Sequence, residues 1–130
     1  MAKKEATKPG TRVLVVEDEQ ALREMYATWL KSGGFTVETA DNGITGIEMV
    51  LHDSPDLVLL DVLLPKKDGF EVLTEIRRNP KTAKLPVIIL SSLDQDFEKK
   101  QGINLGATHY LVKTTISPDL LFETIHKVLK

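Results

Sequence analysis

The sequence predicts a three-layer α/β fold, a five-stranded parallel sheet covered by helices on both faces. Two observations carry most of this. Short apolar runs alternate with stretches of helical periodicity from Arg12 to the end of the chain. One run, Leu57-Val58-Leu59-Leu60, is apolar at every position, as a strand buried on both faces requires. A third observation concerns chemistry: the runs expected at the sheet centre each stop at a polar or charged residue.

The first strand is read over Arg12 to Val16 and ends at Glu17. In Gln20 to Leu30 the apolar residues Leu22, Met25, Tyr26, Trp29 and Leu30 share one helix face, with Gly33 as a natural stop. Phe35 to Thr39 alternates as a second strand. Asp41-Asn42-Gly43 starts a second helix, whose expected inward face is Ile44, Ile47, Val50 and Leu51. The third strand, Leu57 to Leu60, ends at Asp61. After the loop VLLPKKDG, a third helix presents Val72, Leu73 and Ile76, and Pro80 ends it. Pro86 opens the fourth strand, Val87 to Leu90, followed by Ser91 and Ser92. Phe97, Ile103 and Leu105 mark a weaker fourth helix, in which Gly102 lowers the propensity. His109 to Val112 is the fifth strand. Pro118 opens a last helix carrying Leu120, Leu121, Ile125, Val128 and Leu129. Residues 1 to 11, rich in lysine with a proline and a glycine, are expected to be a flexible tail, and 12 to 130 a single domain.

Composition narrows the function. The chain has 130 residues, 42% hydrophobic and 28% charged, with a net charge of -2. There is no basic stripe, so direct nucleic-acid binding is not expected. No apolar run approaches the roughly 20 residues that span a bilayer. Cysteine is absent, which excludes disulfides and thiolate chemistry and fits a cytoplasmic setting.

Ligands of open parallel sheets bind beyond the carboxyl ends of the strands. There the sequence places Glu17, Asp18 and Glu19 after the first strand, Asp61 after the third, Ser91 and Ser92 after the fourth, and Lys113 after the fifth. Crowded carboxylates repel one another unless a cation relieves them. An all-oxygen donor set with few carboxylates suits Mg²⁺. A carboxylate beside a metal and an ammonium group is a plausible covalent phosphoryl acceptor. Taken singly, each residue has a plainer reading as a helix cap, a turn residue or a solvated lysine. The functional reading rests on their coincidence at one sheet edge.

The strings VLVVEDE, LVLLDVLLPKKDGFEVL, LPVIILSS and GATHYLVK, in this order, resemble the receiver domain of two-component response regulators over Arg12 to Lys130. The resemblance implies a doubly wound, flavodoxin-like sheet of strand order 2-1-3-4-5. It implies that Asp61 is the phosphoacceptor, with Mg²⁺ held by Asp18, by Glu17 largely through water, by Asp61 and by the backbone carbonyl of Leu63. Lys113 matches the family's site lysine, Ser91 its switch hydroxyl and Tyr110 its aromatic switch. The implied donor is a phosphohistidine on a sensor histidine kinase or histidine phosphotransfer protein. The receiver catalyses the transfer itself rather than acting as an enzyme on a separate substrate. An unidentified protein target would read the surface of the fourth helix, fifth strand and fifth helix. The domain would be a monomer or a phosphorylation-dependent dimer.

The sequence departs from the family pattern in places. Glu17 stands where aspartate is commoner, a mild variation. Thr114 follows Lys113 where the family usually has proline, often after a cis bond. A cis bond before a non-proline costs about 2.5–4 kcal/mol, so a trans Lys113-Thr114 bond is expected. Leu63 and Leu93 are expected to flank the phosphoryl site; both are apolar, so slow self-dephosphorylation is expected. Trp29 is read as core packing, and His52 and His126 as solvated. Lys66-Lys67 and Lys99-Lys100 are read as solvated faces.

Two rival functions differ in class. Some phosphohydrolases form an aspartyl phosphate but place a second acid two residues after the nucleophile, where this chain has Leu63. A phosphorylation-independent docking module of the same fold is the stronger rival, with Thr114 as its best support.

Overall fold

Val13 to Val16, Leu57 to Leu60 and Val87 to Leu90 are almost wholly inaccessible to solvent, and they are the three central strands of one sheet. The computed structural model describes residues 10–129. In chain order these form β1 (Arg12–Val16), α1 (Gln20–Ser32), β2 (Thr36–Ala40), α2 (Gly43–Asp53), β3 (Leu57–Leu60) and α3 (Gly69–Arg78). Then follow β4 (Val87–Ser91), α4 (Asp96–Asn104), β5 (His109–Val112), a 3₁₀ turn (Lys113–Thr115) and α5 (Pro118–Leu129). All strand pairs are parallel, and the order is β2-β1-β3-β4-β5, as expected.

Side chains alternate across a strand, and here both sides are apolar. Leu14, Val16, Val58, Leu60, Val87 and Ile89 join one core with Val50 of α2 and Val72, Leu73 and Ile76 of α3. Val13, Val15, Leu57, Leu59, Ile88 and Leu90 join the other, with Tyr26 and Leu30 of α1 and Leu121 and Ile125 of α5. Trp29 packs against this second core, its ring edge-on to Tyr26 at 5.7 Å between centroids.

Two helix faces differ from expectation for one physical reason. In α2 the buried positions are Gly43, Gly46 and Val50, while Ile44 and Leu51 are exposed. A Cβ on Gly46 would sit 3.1 Å from the Val16 methyls, and one on Gly43 would collide with the Lys67 carbonyl. In α4 only Gly102 is buried, whereas Phe97 is 68% and Ile103 50% exposed. A Cβ on Gly102 would lie 2.9 Å from Ile89 Cδ1 and 3.0 Å from the Tyr110 ring. Both helices approach the sheet through glycine, which leaves Ile44 and Leu51 of α2 and Phe97 and Ile103 of α4 facing away, while Ile47 and Val50 of α2 pack against the core as expected.

Boundaries shift slightly. β2 begins at Thr36 rather than Phe35, which is buried just ahead of it, and β4 takes in Ser91. Most of the expected tail lies outside the described residues. Thr11 is already tied to the sheet, its carbonyl accepting from Thr36 N–H at 2.9 Å. Among the described residues no helix is long and apolar enough to cross a membrane.

Candidate functional site

Parallel register sets the site. Val16 pairs with Leu60, so the next residues, Glu17 and Asp61, leave adjacent strands side by side. Backbone hydrogen bonds hold both exits, from Glu17 N–H to the Ala40 carbonyl and from Asp61 N–H to the Val16 carbonyl, each 3.0 Å. Val112 pairs with Ser91, which puts Lys113 at the same edge two strands from Asp61. That is about 10 Å at normal strand spacing, a gap suited to a long, flexible lysine.

The Lys113 ammonium closes the gap. It lies 2.7 Å from Glu17 Oε1 and 2.8 Å from Asp61 Oδ2. Glu17 is 2% and Asp61 4% exposed. Asp18 is exposed, and one carboxylate oxygen from each of Glu17, Asp18 and Asp61 lies within 4.8 Å of the others. Three carboxylates against one ammonium leave two negative charges in a small volume. Burial pushes the Glu17 carboxyl above the usual range, against the hydrogen bond from Lys113. Burial also opposes the Lys113 charge, but the hydrogen bonds to Asp61 and Glu17 outweigh it and raise its pKa. Glu17, Asp18 and Asp61 therefore fit a hard divalent cation on two counts, all-oxygen donors and a charge deficit of matching size.

The Asp61 loop is locked from behind. Asp68 caps α3, accepting from Glu71 N–H at 2.9 Å, while Glu71 accepts from Asp68 N–H at 3.0 Å. Gly69 N–H donates to the Val62 carbonyl, and a Cβ on Gly69 would collide with the Asp61 carbonyl. Leu63 N–H faces Asp61 Oδ1 at 3.4 Å, and the Leu63 side chain is 52% exposed.

Ser91 is wholly buried, and its Oγ accepts from Leu93 N–H at 3.2 Å. Tyr110 OH donates to the Leu93 carbonyl at 2.7 Å. Leu93 thus links the two expected switch residues, and its side chain packs partly against the core. Burial raises the Tyr110 pKa. The Lys113-Thr114 bond is trans, as is every peptide bond among the described residues. Thr115 Oγ1 pins the following 3₁₀ turn by donating to the Val112 carbonyl at 3.0 Å.

Two neighbours escaped the sequence reading. Arg23, in the first turns of α1, donates from one guanidinium nitrogen to the carbonyls of Glu17 at 3.0 Å and Asp18 at 3.2 Å. Its spacing from the acids was the available signal. Tyr26 was counted only as core; burial pushes its phenol up to about 12, with Lys113, Glu17 and Asp61 all acting on it. His52 is exposed, as expected. Lys67, read as part of a solvated face, forms a surface ion pair there with Glu75 at 2.6 Å.

Comparison with known proteins agrees with this geometry. Residues 13–126 match the family model described as the response regulator receiver domain. The chain is 39% identical over 102 residues to the DNA-binding dual master transcriptional regulator RpaA of Synechocystis, covering 78% of this chain and 42% of that protein. It is 38% identical over 112 residues to the response regulator MprA of Mycobacterium ulcerans, covering 86% and 47%. The chain thus spans less than half the length of these relatives. Among solved structures, chemotaxis protein CheY4 of Vibrio cholerae superposes with a TM-score of 0.86 at 30% identity, covering 92% of this chain and 99% of that one. The BeF3-activated N-terminal receiver domain of Klebsiella pneumoniae RstA gives 0.84 at 29% identity, covering 92% and 98%. The chain belongs to the response regulator receiver domain family of two-component systems.

Proposed function

We propose that this domain is a phosphorylation switch whose acceptor is Asp61. The observation that carries the reading is the cluster at the sheet edge: three carboxylates within 4.8 Å, two of them on the Lys113 ammonium. A carboxylate oxygen of Asp61 attacks the phosphorus of a phosphohistidine on a sensor kinase or phosphotransfer protein. The P–O bond forms, the P–N bond breaks, and the imidazole leaves with the electron pair. Glu17, Asp18, Asp61 and the Leu63 carbonyl would hold Mg²⁺, which when bound offsets negative charge on the transferring oxygens. Lys113 supplies a second positive charge to those oxygens from a side chain already placed by its two carboxylate partners.

The consequence is a shift between two arrangements. The new phosphoryl group adds about -1.5 to -2 charge and fresh acceptor oxygens. Ser91 turns toward them, releasing Leu93 N–H. Because Tyr110 is tied to the Leu93 carbonyl, movement at Ser91 is passed to β5 and the adjoining faces of α4 and α5. A protein target that prefers the altered surface is then recruited. Leu63 stands half-exposed beside Asp61 and offers no group to orient water, which supports a long-lived acyl phosphate.

The test is incubation with acetyl phosphate with and without Mg²⁺, read by intact mass, with Asp61→Asn as control. One added phosphoryl group in wild type, only with Mg²⁺, is expected. Equal gain in the Asn variant, or gain in EDTA, would overturn the proposal.

A further inference from the structure

We propose that Arg23 is a positioning residue for the acidic pair, and that it sets the affinity of the site for its divalent cation. The inference rests on the function proposed above. Three features of α1 point to it. The N-cap, Glu19, makes no side-chain capping hydrogen bond, so the usual device for fixing a strand-to-helix loop is missing. Glu19 N–H donates instead to Glu17 Oε2 at 3.1 Å, which ties the loop to one of the acids. Arg23 then reaches back along the helix and donates to the carbonyls of both Glu17 and Asp18.

Helix stability gives no reason for this arrangement. A cation near a helix N-terminus opposes the macrodipole. The acids at this helix start, Glu17, Asp18 and Glu19, lie ahead of the first turn rather than in it. The bonds of Arg23 instead hold two consecutive peptide units, those that carry the Glu17 and Asp18 side chains. Fixing these units sets where the two carboxylates stand relative to Asp61. Asp18 gains most, because its side chain is exposed and its carbonyl is held by Arg23. Ordering its backbone in advance lowers the entropy lost when it closes on a cation. Groups that orient metal ligands without touching the metal typically change affinity by about 10- to 100-fold when removed.

The opposite sign is also physically available, which makes the inference testable. Arg23 carries positive charge beside a cation site, so repulsion alone predicts that removing it tightens binding. Arg23→Met removes both the charge and the hydrogen bonds. Arg23→Lys keeps the charge, but its side chain ends one bond short of the single guanidinium nitrogen that bridges the two carbonyls, so the ammonium does not hold both. Mg²⁺ affinity is measured by titration calorimetry on wild type and both variants, alongside thermal melts in EDTA. Positioning predicts about a tenfold weaker Mg²⁺ affinity in both variants. It also predicts that saturating Mg²⁺ restores the wild-type rate of loading from acetyl phosphate. Unchanged or tighter Mg²⁺ binding in either variant overturns the inference. So does a lower melting temperature with wild-type Mg²⁺ affinity, which would mark Arg23 as a structural brace. If wild type itself binds no Mg²⁺, the proposed function falls and this inference with it; binding by wild type with no effect of the variants overturns this inference alone.

Discussion

Replacing Lys113 with methionine removes the ammonium that sits between two buried carboxylates. Glu17 Oε1 and Asp61 Oδ2 sit 2.7 and 2.8 Å from it, and both side chains are almost inaccessible to water. Their oxygens are within 4.8 Å of each other. Two unit charges at that distance repel by about 3.5 kcal/mol at an effective dielectric constant of about 20. The general cost of orphaning a buried ion-pair partner, roughly 3–5 kcal/mol, agrees. With a urea slope of about 1.5 kcal/mol/M, a loss of 3 kcal/mol lowers the unfolding midpoint by about 2 M. The assay is urea unfolding in EDTA at neutral pH. The pH dependence has a defined sign. Burial already raises the Glu17 pKa, and losing the ammonium raises it further. The deficit is therefore full above the folded pKa and shrinks as pH falls through it. Mg²⁺ should stabilise the variant more than wild type, because it supplies the missing positive charge. A midpoint in EDTA within about 0.3 M of wild type would refute the claim that Lys113 balances this cluster.

Gly102→Ala gains about 1 kcal/mol of helix propensity but drives a methyl into Ile89 and Tyr110, an overpacking cost of about 1–3 kcal/mol; a net loss in urea unfolding is expected, and a stabilised protein would contradict the packing account. His109 is held below its ordinary pKa by burial and then by Lys127, and its Nδ1 accepts from Tyr110 N–H. Below the ordinary histidine pKa the unfolded chain takes up a proton first, so stability is lost as pH falls toward the depressed folded value. His109→Asn should make the drop in unfolding midpoint between about pH 7 and 5.5 smaller, and an unchanged drop would assign it to other groups. Leu63→Asn with Leu93→Glu should shorten the lifetime of the acyl phosphate, followed by intact mass after removal of the donor. An unchanged decay rate would show that these side chains do not shield it.

What the sequence made legible, and what it hid, follows from how each element packs. The central strands were readable because burial on both faces demands apolar residues at every position, as in Leu57 to Leu60. The cluster was readable because Glu17, Asp61 and Lys113 each stand one step past a strand end, where parallel pairing must align them. Ile47 and Val50 of α2 face the core as read, but Ile44 and Leu51 of α2 and Phe97 and Ile103 of α4 do not, because hydrophobic periodicity counts side chains, whereas Gly46 and Gly102 pack by having none. Arg23 was hidden because its partners are backbone carbonyls, so its spacing from the acids was the one mark it left in the sequence. The Leu93 link between Ser91 and Tyr110 was hidden for a similar reason, since both bonds run to its main chain.

The central claim is that Asp61 carries the phosphoryl group. Loading the protein from a phosphohistidine donor in Mg²⁺ and then reducing it with borohydride converts an aspartyl phosphate to homoserine, which peptide mass spectrometry locates. The account predicts homoserine at position 61 and at no other acid. Homoserine at Asp18, or phosphate retained on Ser91 with Asp61 unmodified, would contradict it.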